Sequence, residues 1–340
     1  MQNHVNINMS EEWLNDRLGV DFSEDFWADP IKRTENRREL SRELYRKYGE
    51  IGLGEAEPRP VPIASEEYGH RFMPKLFGCD VIYMPNQAPG AIHIEWDIDK
   101  MASFTAPDID KNEIVKKMLS DADELKRKYG YCHGGINMGS PLNVAVTLLG
   151  ENFLTCCAEY PETATHVLME IAKTQFALIE KVCRTIEPDA FPIKPMSYGS
   201  GNCPAIMLSP RMYRRVVLPV DKWMREKCDY YGLHHCGVFD KYAELYTELR
   251  PDSLDVGGGS DYALLRKYFP NTPASFIVNA EYIEGASTES IDNIVENIIK
   301  NGGPVNLISH LWCADLSKHT TDDNIYDLWT SIASVSLLGF

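Results

Sequence analysis

Short apolar runs alternate with longer amphipathic stretches from about residue 80 to the end of the chain. The short runs have the length of buried strands, and the longer stretches repeat apolar residues at helical spacing. The predicted strands are Val81–Met84, Gly135–Met138, Phe191–Tyr198, Gly232–Cys236, Ser253–Val256, Ser275–Asn279 and Val305–Ser309. The predicted helices are Glu113–Tyr129, Pro161–Glu187, Pro210–Tyr230, Phe239–Leu249, Tyr262–Phe269 and Ser287–Asn301.

This alternation of strands and helices is typical of an α/β fold with a parallel sheet. Its length favours an eight-stranded (β/α)8 barrel of the TIM type. A doubly wound sheet is the alternative, but the first strand–helix junction lacks the glycine-rich turn of a dinucleotide-binding fold. In a barrel, chemistry gathers at the carboxyl ends of the strands, so reactive residues at those positions carry more weight.

The first 65 residues have a different pattern. Apolar residues recur at helical spacing over Glu11–Leu18 and Arg37–Tyr48, and a proline-rich stretch from Pro58 to Pro62 ends the segment. We expect an N-terminal helical extension over 1–65 that packs on a catalytic barrel over 66–340.

Charge and cysteine content narrow the class of protein. The chain has 340 residues and a formal net charge of −16, which disfavours binding to nucleic acid or to an anionic membrane surface. No apolar run is long enough to span a membrane, and Met1 to Asp16 lacks the pattern of a signal peptide. Nine cysteines without the spacing of a disulfide scaffold indicate reduced thiols in a cytoplasm, including that of an anaerobe. We expect a cytoplasmic enzyme.

Three residues near predicted strand ends are candidate zinc ligands. His234 and Cys236 are two residues apart in a strand, so their side chains point the same way, and Cys313 lies just past the last predicted strand. One imidazole and two thiolates suit zinc, and three protein ligands leave a fourth position open for substrate. His-x-Cys alone is equally compatible with a buried pair that binds no metal.

Further residues lie at or near predicted strand ends. Candidates for a fourth metal ligand are Asp255, Asp261 and Glu281, each of which could also be a surface or capping acid. Candidates for supporting the ligands or contacting the substrate are Tyr198, Asn279 and His310.

Several motifs resemble the uroporphyrinogen decarboxylase superfamily. Gly139-Ser140-Pro141-Leu142 with Leu148-Leu149-Gly150, Leu208–Tyr213 followed by Val217-Leu218-Pro219, and Leu233–Gly237 are similar to its characteristic segments. The cysteines resemble its zinc-dependent methyltransferase branch of the methylcobamide:coenzyme M type, in which the second cysteine follows about 75–80 residues later. Here Cys313 follows Cys236 by 77 residues.

The resemblance implies a zinc-containing, corrinoid-dependent methyltransferase that works with a corrinoid-binding partner protein. The methyl group would pass either to a thiol such as coenzyme M or from a methylated donor compound. The family's arginine-rich motif is not recognisable, and Tyr198–Cys203 replaces its usual acid pair, which argues against decarboxylation. A metal-free decarboxylase-like enzyme, a non-catalytic corrinoid- or zinc-binding protein, and a cobalamin-independent methionine synthase remain alternatives.

Overall fold

Eight strands lie in residues 6–190 and 196–336, which this computed structural model describes. They are β1 Asn6–Met9, β2 Asp80–Met84, β3 Gln87–Ile92, β4 Ser197–Gly201, β5 Tyr230–His235, β6 Ser253–Val256, β7 Ala274–Asn279 and β8 Ile308–Leu316. The helices of the first half are α1 Glu11–Leu18, α2 Glu24–Trp27, α3 Pro30–Tyr48, α4 Phe72–Leu76, α5 Ile98–Ala102, α6 Glu113–Tyr129, α7 Pro141–Leu149, α8 Glu151–Glu159 and α9 Pro161–Ile186. Those of the second half are α10 Pro210–Met212, α11 Leu218–Glu226, α12 Ala243–Tyr246, α13 Tyr262–Tyr268, α14 Thr288–Asn301 and α15 Asp322–Ser336.

Six of the strands form one parallel sheet, in the order β1-β8-β7-β6-β5-β4. This confirms an α/β fold with a parallel sheet. The closed eight-stranded barrel is not confirmed, because the sheet of the described residues has six strands and ends at β1 and β4. Strands β2 and β3 form a separate antiparallel hairpin.

Two expectations need correction. The predicted strand Val81–Met84 exists as β2, but it belongs to the hairpin rather than to the main sheet. Gly135–Met138 is irregular, and its neighbourhood contributes only an isolated parallel bridge between Ile63 and His133. The first part of the predicted strand Phe191–Tyr198 lies outside the described residues, and the described part begins β4.

The N-terminal segment is mainly helical, yet it also supplies a strand to the sheet. Asn6 and Ile7 of β1 pair in parallel with Trp312 and Cys313 of β8. Helices α1 to α3 follow directly, so the segment is attached to the sheet edge through its own strand. A boundary at residue 65 stays a prediction.

The two faces of the sheet differ in polarity. Leu233, Leu254 and Phe276 lie on the face that packs against helices, and the Phe276 ring contacts Tyr262 of α13 edge to face at 5.0 Å. Because side chains alternate along a strand, His234 and Asp255 point to the other face. The apolar face therefore builds the core and leaves the polar face free to carry a site.

Helix boundaries follow local chemistry. Asn112 caps α6 by accepting hydrogen bonds from the Ile114 and Val115 amides, and Gly130 ends it in the left-handed conformation. The single helix expected over Pro210–Tyr230 is instead α10, a π-turn and α11, since Pro219 has no N–H to bond the Arg215 carbonyl. None of the described helices is long and apolar enough to cross a membrane.

The loops after β5 and β6 touch at the carboxyl edge of the sheet. A Cβ at Gly257 would lie 2.2 Å from the Cys236 carbonyl oxygen and 2.5 Å from that of Gly237. The Gly257 amide also donates to the His235 carbonyl at 2.8 Å. Glycine is thus required here for the backbone to approach the chain at Cys236.

We expect Gly257→Ala to lower the free energy of unfolding by about 2–4 kcal/mol, because the new methyl group meets rigid backbone on the neighbouring loop. Urea denaturation followed by circular dichroism measures this. Gly199→Ala in β4 is the matched control, since a Cβ there meets nothing within 4 Å. Equal stability of the two variants would contradict the close approach.

Candidate metal centre

Three side chains meet where β4 and β5 end. His234 is the penultimate residue of β5, Cys236 follows that strand directly, and Cys203 lies two residues beyond β4. Their ligand atoms, one imidazole nitrogen and two thiol sulfurs, all lie within 4.8 Å of one another. This is the only such group of three metal-ligating side chains among the described residues.

Backbone hydrogen bonds hold these residues in place. The Asn202 amide donates to the His234 carbonyl at 2.9 Å, which continues the β4–β5 pairing one step beyond the strand. Cys203 is consequently tied to His234, while the Gly257 amide holds the His235 carbonyl from the other side. The position of each ligand is fixed by its neighbours along and across the sheet.

Electrostatics favour a thiolate at Cys236. The hydrogen bond from the Cys203 thiol, followed by that from His234, lowers the pKa of Cys236 to about 5. The same contact raises the pKa of Cys203, because its proton is held by the neighbouring thiolate. Burial alone would lower the pKa of His234, but its hydrogen bonds to Asp255 and Cys236 outweigh burial and raise it to about 9. The hydrogen bonds among these groups therefore favour an imidazolium–thiolate pair at His234 and Cys236.

Asp255 of β6 supports His234. Its Oδ2 lies 2.8 Å from His234 Nδ1, and its Oδ1 accepts a hydrogen bond from Trp312 Nε1 at 2.9 Å. A carboxylate bound to one ring nitrogen fixes the imidazole and leaves Nε2 to face a metal. His235, by contrast, faces the helices and lies 2.9 Å from the Tyr246 hydroxyl, and burial lowers its pKa to about 4.

The predicted ligands His234 and Cys236 come together, and Cys203 joins them in the place predicted for Cys313. Cys313 is fully buried and pairs in register with Val278 on the helix-packed face of β7. Its neighbour Trp312 points to the face that carries Asp255, so the thiol of Cys313 points away from that face. Burial raises the pKa of Cys313 to about 12.

The other acids predicted as ligands have different partners. Asp255 bonds His234, as described. Asp261 caps α13 by accepting from the Ala263 and Leu264 amides at 2.9 and 3.0 Å. Glu281 accepts a hydrogen bond from Asn279 Nδ2 at 3.2 Å. In the described contacts, Asp255 therefore holds an imidazole, Asp261 caps a helix and Glu281 bonds a neighbouring amide.

The three candidates for substrate contact are spread over the sheet. Asn279 accepts a hydrogen bond from the Gly258 amide at 3.2 Å, which orders the glycine loop after β6. His310 Nδ1 in β8 lies 3.0 Å from the Ser275 hydroxyl in β7, and Ser275 pairs in register with Asp255 of β6. Tyr198 is buried, and its hydroxyl lies within hydrogen-bond distance of the Gly139 carbonyl and of Gln175 Oε1 in α9.

Sequence reasoning did not find Cys203 or Trp312 as parts of this site. The signal for Cys203 is its place shortly after a predicted strand, whereas in the sequence Tyr198–Cys203 stands out only as a departure from a family motif. Its proximity to His234 and Cys236 follows only from the pairing of β4 and β5. For Trp312 the signal is its position two residues after His310, because residues two apart in a strand point to the same face.

A buried polar network lies beneath Cys203. Asp221 of α11 is fully buried and accepts hydrogen bonds from Asn202 Nδ2 at 3.0 Å and from the Tyr213 hydroxyl of the π-turn. Burial raises the pKa of Asp221 to about 6, against the lowering effect of both hydrogen bonds. The network connects the residue next to Cys203 with the helix behind it.

Comparison with solved structures gives the fold. A methyltransferase from Methanosarcina mazei is 14% identical, with a TM-score of 0.65, over 99% of this chain and 95% of that one. A structure described as a vitamin-B12 independent methionine synthase from Listeria monocytogenes is 11% identical over 99% of this chain and 97% of that one, and its TM-score of 0.43 carries no argument. No protein-family model and no curated protein matches the sequence. The first likeness establishes a shared fold at low sequence identity.

The stability of Asp221→Asn should depend on pH differently from that of the wild type. Since the folded-state pKa of Asp221 lies above its ordinary value, the native fold favours the protonated carboxyl. The stabilisation that this preference gives the folded protein is complete below about pH 4 and is lost as the pH rises through about 6. The free energy of unfolding of D221N relative to wild type should therefore increase by about 2–3 kcal/mol from about pH 4 to 7.

Urea denaturation at several pH values measures this difference. A difference that stays constant across the range would contradict the raised pKa of Asp221.

Proposed function

We propose that this protein is a zinc-dependent methyltransferase that moves a methyl group between a corrinoid carried by a partner protein and a small substrate. The observation that carries the proposal is the grouping of Cys203, His234 and Cys236 at the carboxyl edge of a parallel sheet. The direction of transfer stays open between a thiol acceptor, such as coenzyme M, and a methylated donor.

The residues present fit zinc. Ligand atoms around a tetrahedral zinc lie about 3.5–4 Å apart, given bond lengths of about 2.0–2.3 Å. Separations within 4.8 Å require only a small closure of the three side chains. One imidazole and two sulfurs are a ligand set that zinc prefers, and three ligands leave a position for substrate.

Each side chain would have a separate role. Cys203, Cys236 and the Nε2 atom of His234 would hold the metal, while Asp255 orients the imidazole and Trp312 orients Asp255. When bound, zinc would supply a Lewis acid that lowers the pKa of a coordinated thiol or polarises a methylated substrate. Cys236 is the exposed member of the three, so substrate would reach the site from its side.

Four further observations support the proposal. The sequence motifs resemble the zinc methyltransferase branch of the uroporphyrinogen decarboxylase superfamily, and the Methanosarcina mazei protein that shares this fold is described as a methyltransferase. All nine cysteines are free, which suits a reducing cytoplasm. The net charge of −16 suits a protein partner with a basic surface rather than nucleic acid.

We also propose that the barrel is completed by irregular chain. The segments around Ile63 and His133 run in parallel through one bridge, and the Ser65 hydroxyl donates to the Gly135 carbonyl at 2.7 Å. Tyr198 of β4 reaches the Gly139 carbonyl at 2.7 Å. These contacts support two irregular strands between β1 and β4, one around Ile63 and one around His133.

The zinc content of cysteine variants tests the metal centre. We expect about one zinc per chain in the wild type and in Cys313→Ala, since Cys313 lies on the other face of the sheet. Cys203→Ala and Cys236→Ala should each lose most of the zinc, because two remaining ligands bind weakly. Elemental analysis of purified, correctly folded variants gives the result.

Two outcomes would contradict this assignment. Loss of zinc from C313A with retention in C203A would make Cys313 the third ligand. Absence of zinc from carefully prepared wild-type protein, with no uptake on titration, would favour a metal-free decarboxylase-like enzyme.

Methyl transfer itself is tested in both directions. We expect the zinc-loaded protein to demethylate methylcobalamin with a thiol, or to methylate cob(I)alamin with a methylated donor. Cys236→Ala should lower that rate by at least about 100-fold, because the metal is lost. Zinc binding without either reaction, across thiols and methylated donors, would favour a non-catalytic accessory protein.

A further inference from the structure

The two thiols of the candidate metal centre contact each other as well as His234. The Sγ atoms of Cys203 and Cys236 lie within 4.8 Å, and the Cys203 thiol donates a hydrogen bond to Cys236. Neighbouring thiols can lose two electrons and join as a disulfide. The pair therefore has a chemistry of its own, in addition to metal binding.

The backbone places these two residues at a separation that a disulfide can bridge. Gly201 of β4 pairs in register with His234 of β5, and the Asn202 amide continues the pairing by donating to the His234 carbonyl at 2.9 Å. Cys203 and Cys236 each lie two residues beyond that register pair. Neighbouring strands are about 4.8 Å apart, within the Cα separation of about 4.4–6.8 Å that disulfides span. Rotation of the two side chains is then enough to bring the sulfurs together.

Solvent access differs among the thiols in a way that favours reaction at this pair. Of the nine cysteines, all of which lie in the described ranges, Cys236 is the exposed one, and Cys203 beside it is half-buried. Of the other seven, six are buried and Cys183 in α9 is half-buried. A dissolved disulfide therefore reaches Cys236 first. Cys203 then lies within reach of the mixed disulfide that forms.

We propose that Cys236 is a thiol-modification site, at which low-molecular-weight disulfides react and Cys203 resolves the product into an intramolecular disulfide. The observation that carries the proposal is an exposed thiol with a second thiol in hydrogen-bond contact, on two chains held in register by the sheet. Its consequence for activity rests on the proposed zinc methyltransferase, because the two thiols are two of the three proposed metal ligands.

The reaction proceeds in two exchange steps. In the first step, the Cys236 sulfur attacks one sulfur of the small disulfide, so that a mixed disulfide forms and one small thiolate leaves. In the second step, the Cys203 sulfur attacks the Cys236 sulfur, and the second small thiolate leaves. The two protons of the protein thiols end on the two released thiols. Two protein thiols are thereby oxidised, and the small disulfide is reduced.

Zinc and oxidation would compete for the same two sulfurs. A disulfide offers no thiolate, so oxidation would leave the metal with His234 alone and zinc would be released. Bound zinc would in turn protect the thiols, since a coordinated sulfur is less available for attack. Because excess thiol reverses the bond, methyl transfer would be active in reducing surroundings and inactive in oxidising ones.

Intact-mass spectrometry of the full-length protein, as purified and with a zinc chelator added, tests the site with glutathione disulfide as the oxidant. We expect wild type to lose the mass of two hydrogen atoms and to keep no glutathione, and peptide mapping should link Cys203 to Cys236. Cys203→Ala should keep one glutathione on Cys236, because the resolving thiol is absent. Cys236→Ala should react at least about tenfold more slowly than wild type. Cys183→Ala is the matched control, since it removes a half-buried thiol outside the centre, and it should react like wild type.

Zinc released during the same reaction, measured with a colorimetric indicator, connects the modification to the metal centre. Disulfide formation in a wild type that holds no zinc would support this proposal and contradict the proposed metal centre, so the two proposals fail separately. Glutathione that stays on Cys236 of wild type, a disulfide between other cysteines, or a wild-type rate equal to that of C236A would overturn the proposal. Circular dichroism checks that each variant is folded, and the peptide map of the wild type needs no variant.

Discussion

The hydrogen bond from the Asn202 amide to the His234 carbonyl is the constraint on which the candidate metal centre depends. It extends the pairing of β4 and β5 beyond the regular strands, and thereby sets the chain that carries Cys203 beside the chain that carries Cys236. On the other side, Gly257 performs the same function for β5 and β6, since no side chain would fit against the Cys236 carbonyl. The three side chains are thus brought together by the backbone of parallel strands, before any metal contributes.

Hydrogen bonds from the surrounding residues further restrict the orientation of these side chains. Asp255 connects His234 to Trp312, so the orientation of one imidazole depends on strands β5, β6 and β8 together. Beneath the loop, Asp221 holds Asn202 from α11, although burial of its carboxyl works against stability as the pH rises. A buried acid that destabilises the fold at neutral pH, yet fixes Asn202 next to Cys203, suits a site in which position matters more than stability.

Local patterns predicted those elements whose sequence signal is strong and has clear ends. The helix Glu113–Tyr129 and the strand Ser253–Val256 have the predicted bounds, because each has strong apolar periodicity and clear ends. Strand β1 is only four residues long and gains its structure from pairing with β8. The proline-induced π-turn at Tyr213–Val217 and the irregular chain at Gly135–Met138 also depend on tertiary contacts, so periodicity could not reveal them.

The same distinction explains which candidate ligands the sequence predicts. His234 and Cys236 were predictable because two-residue spacing within one strand decides the face of both. The face of Cys313 depended on where β8 begins and on an irregularity in the β7–β8 register between Ala274 and Phe276, neither of which the sequence reveals. A shift of one residue in the register of a strand exchanges its two faces. In such a shifted register, Cys313 would point to the face that carries Asp255, and Trp312 would point to the helices. Cys203 required knowledge of which strand lies beside β5. The spacing of 77 residues between Cys236 and Cys313 is therefore a point of family resemblance only. The grouping of Cys203, His234 and Cys236 is decided by which strands are neighbours and which face each side chain takes.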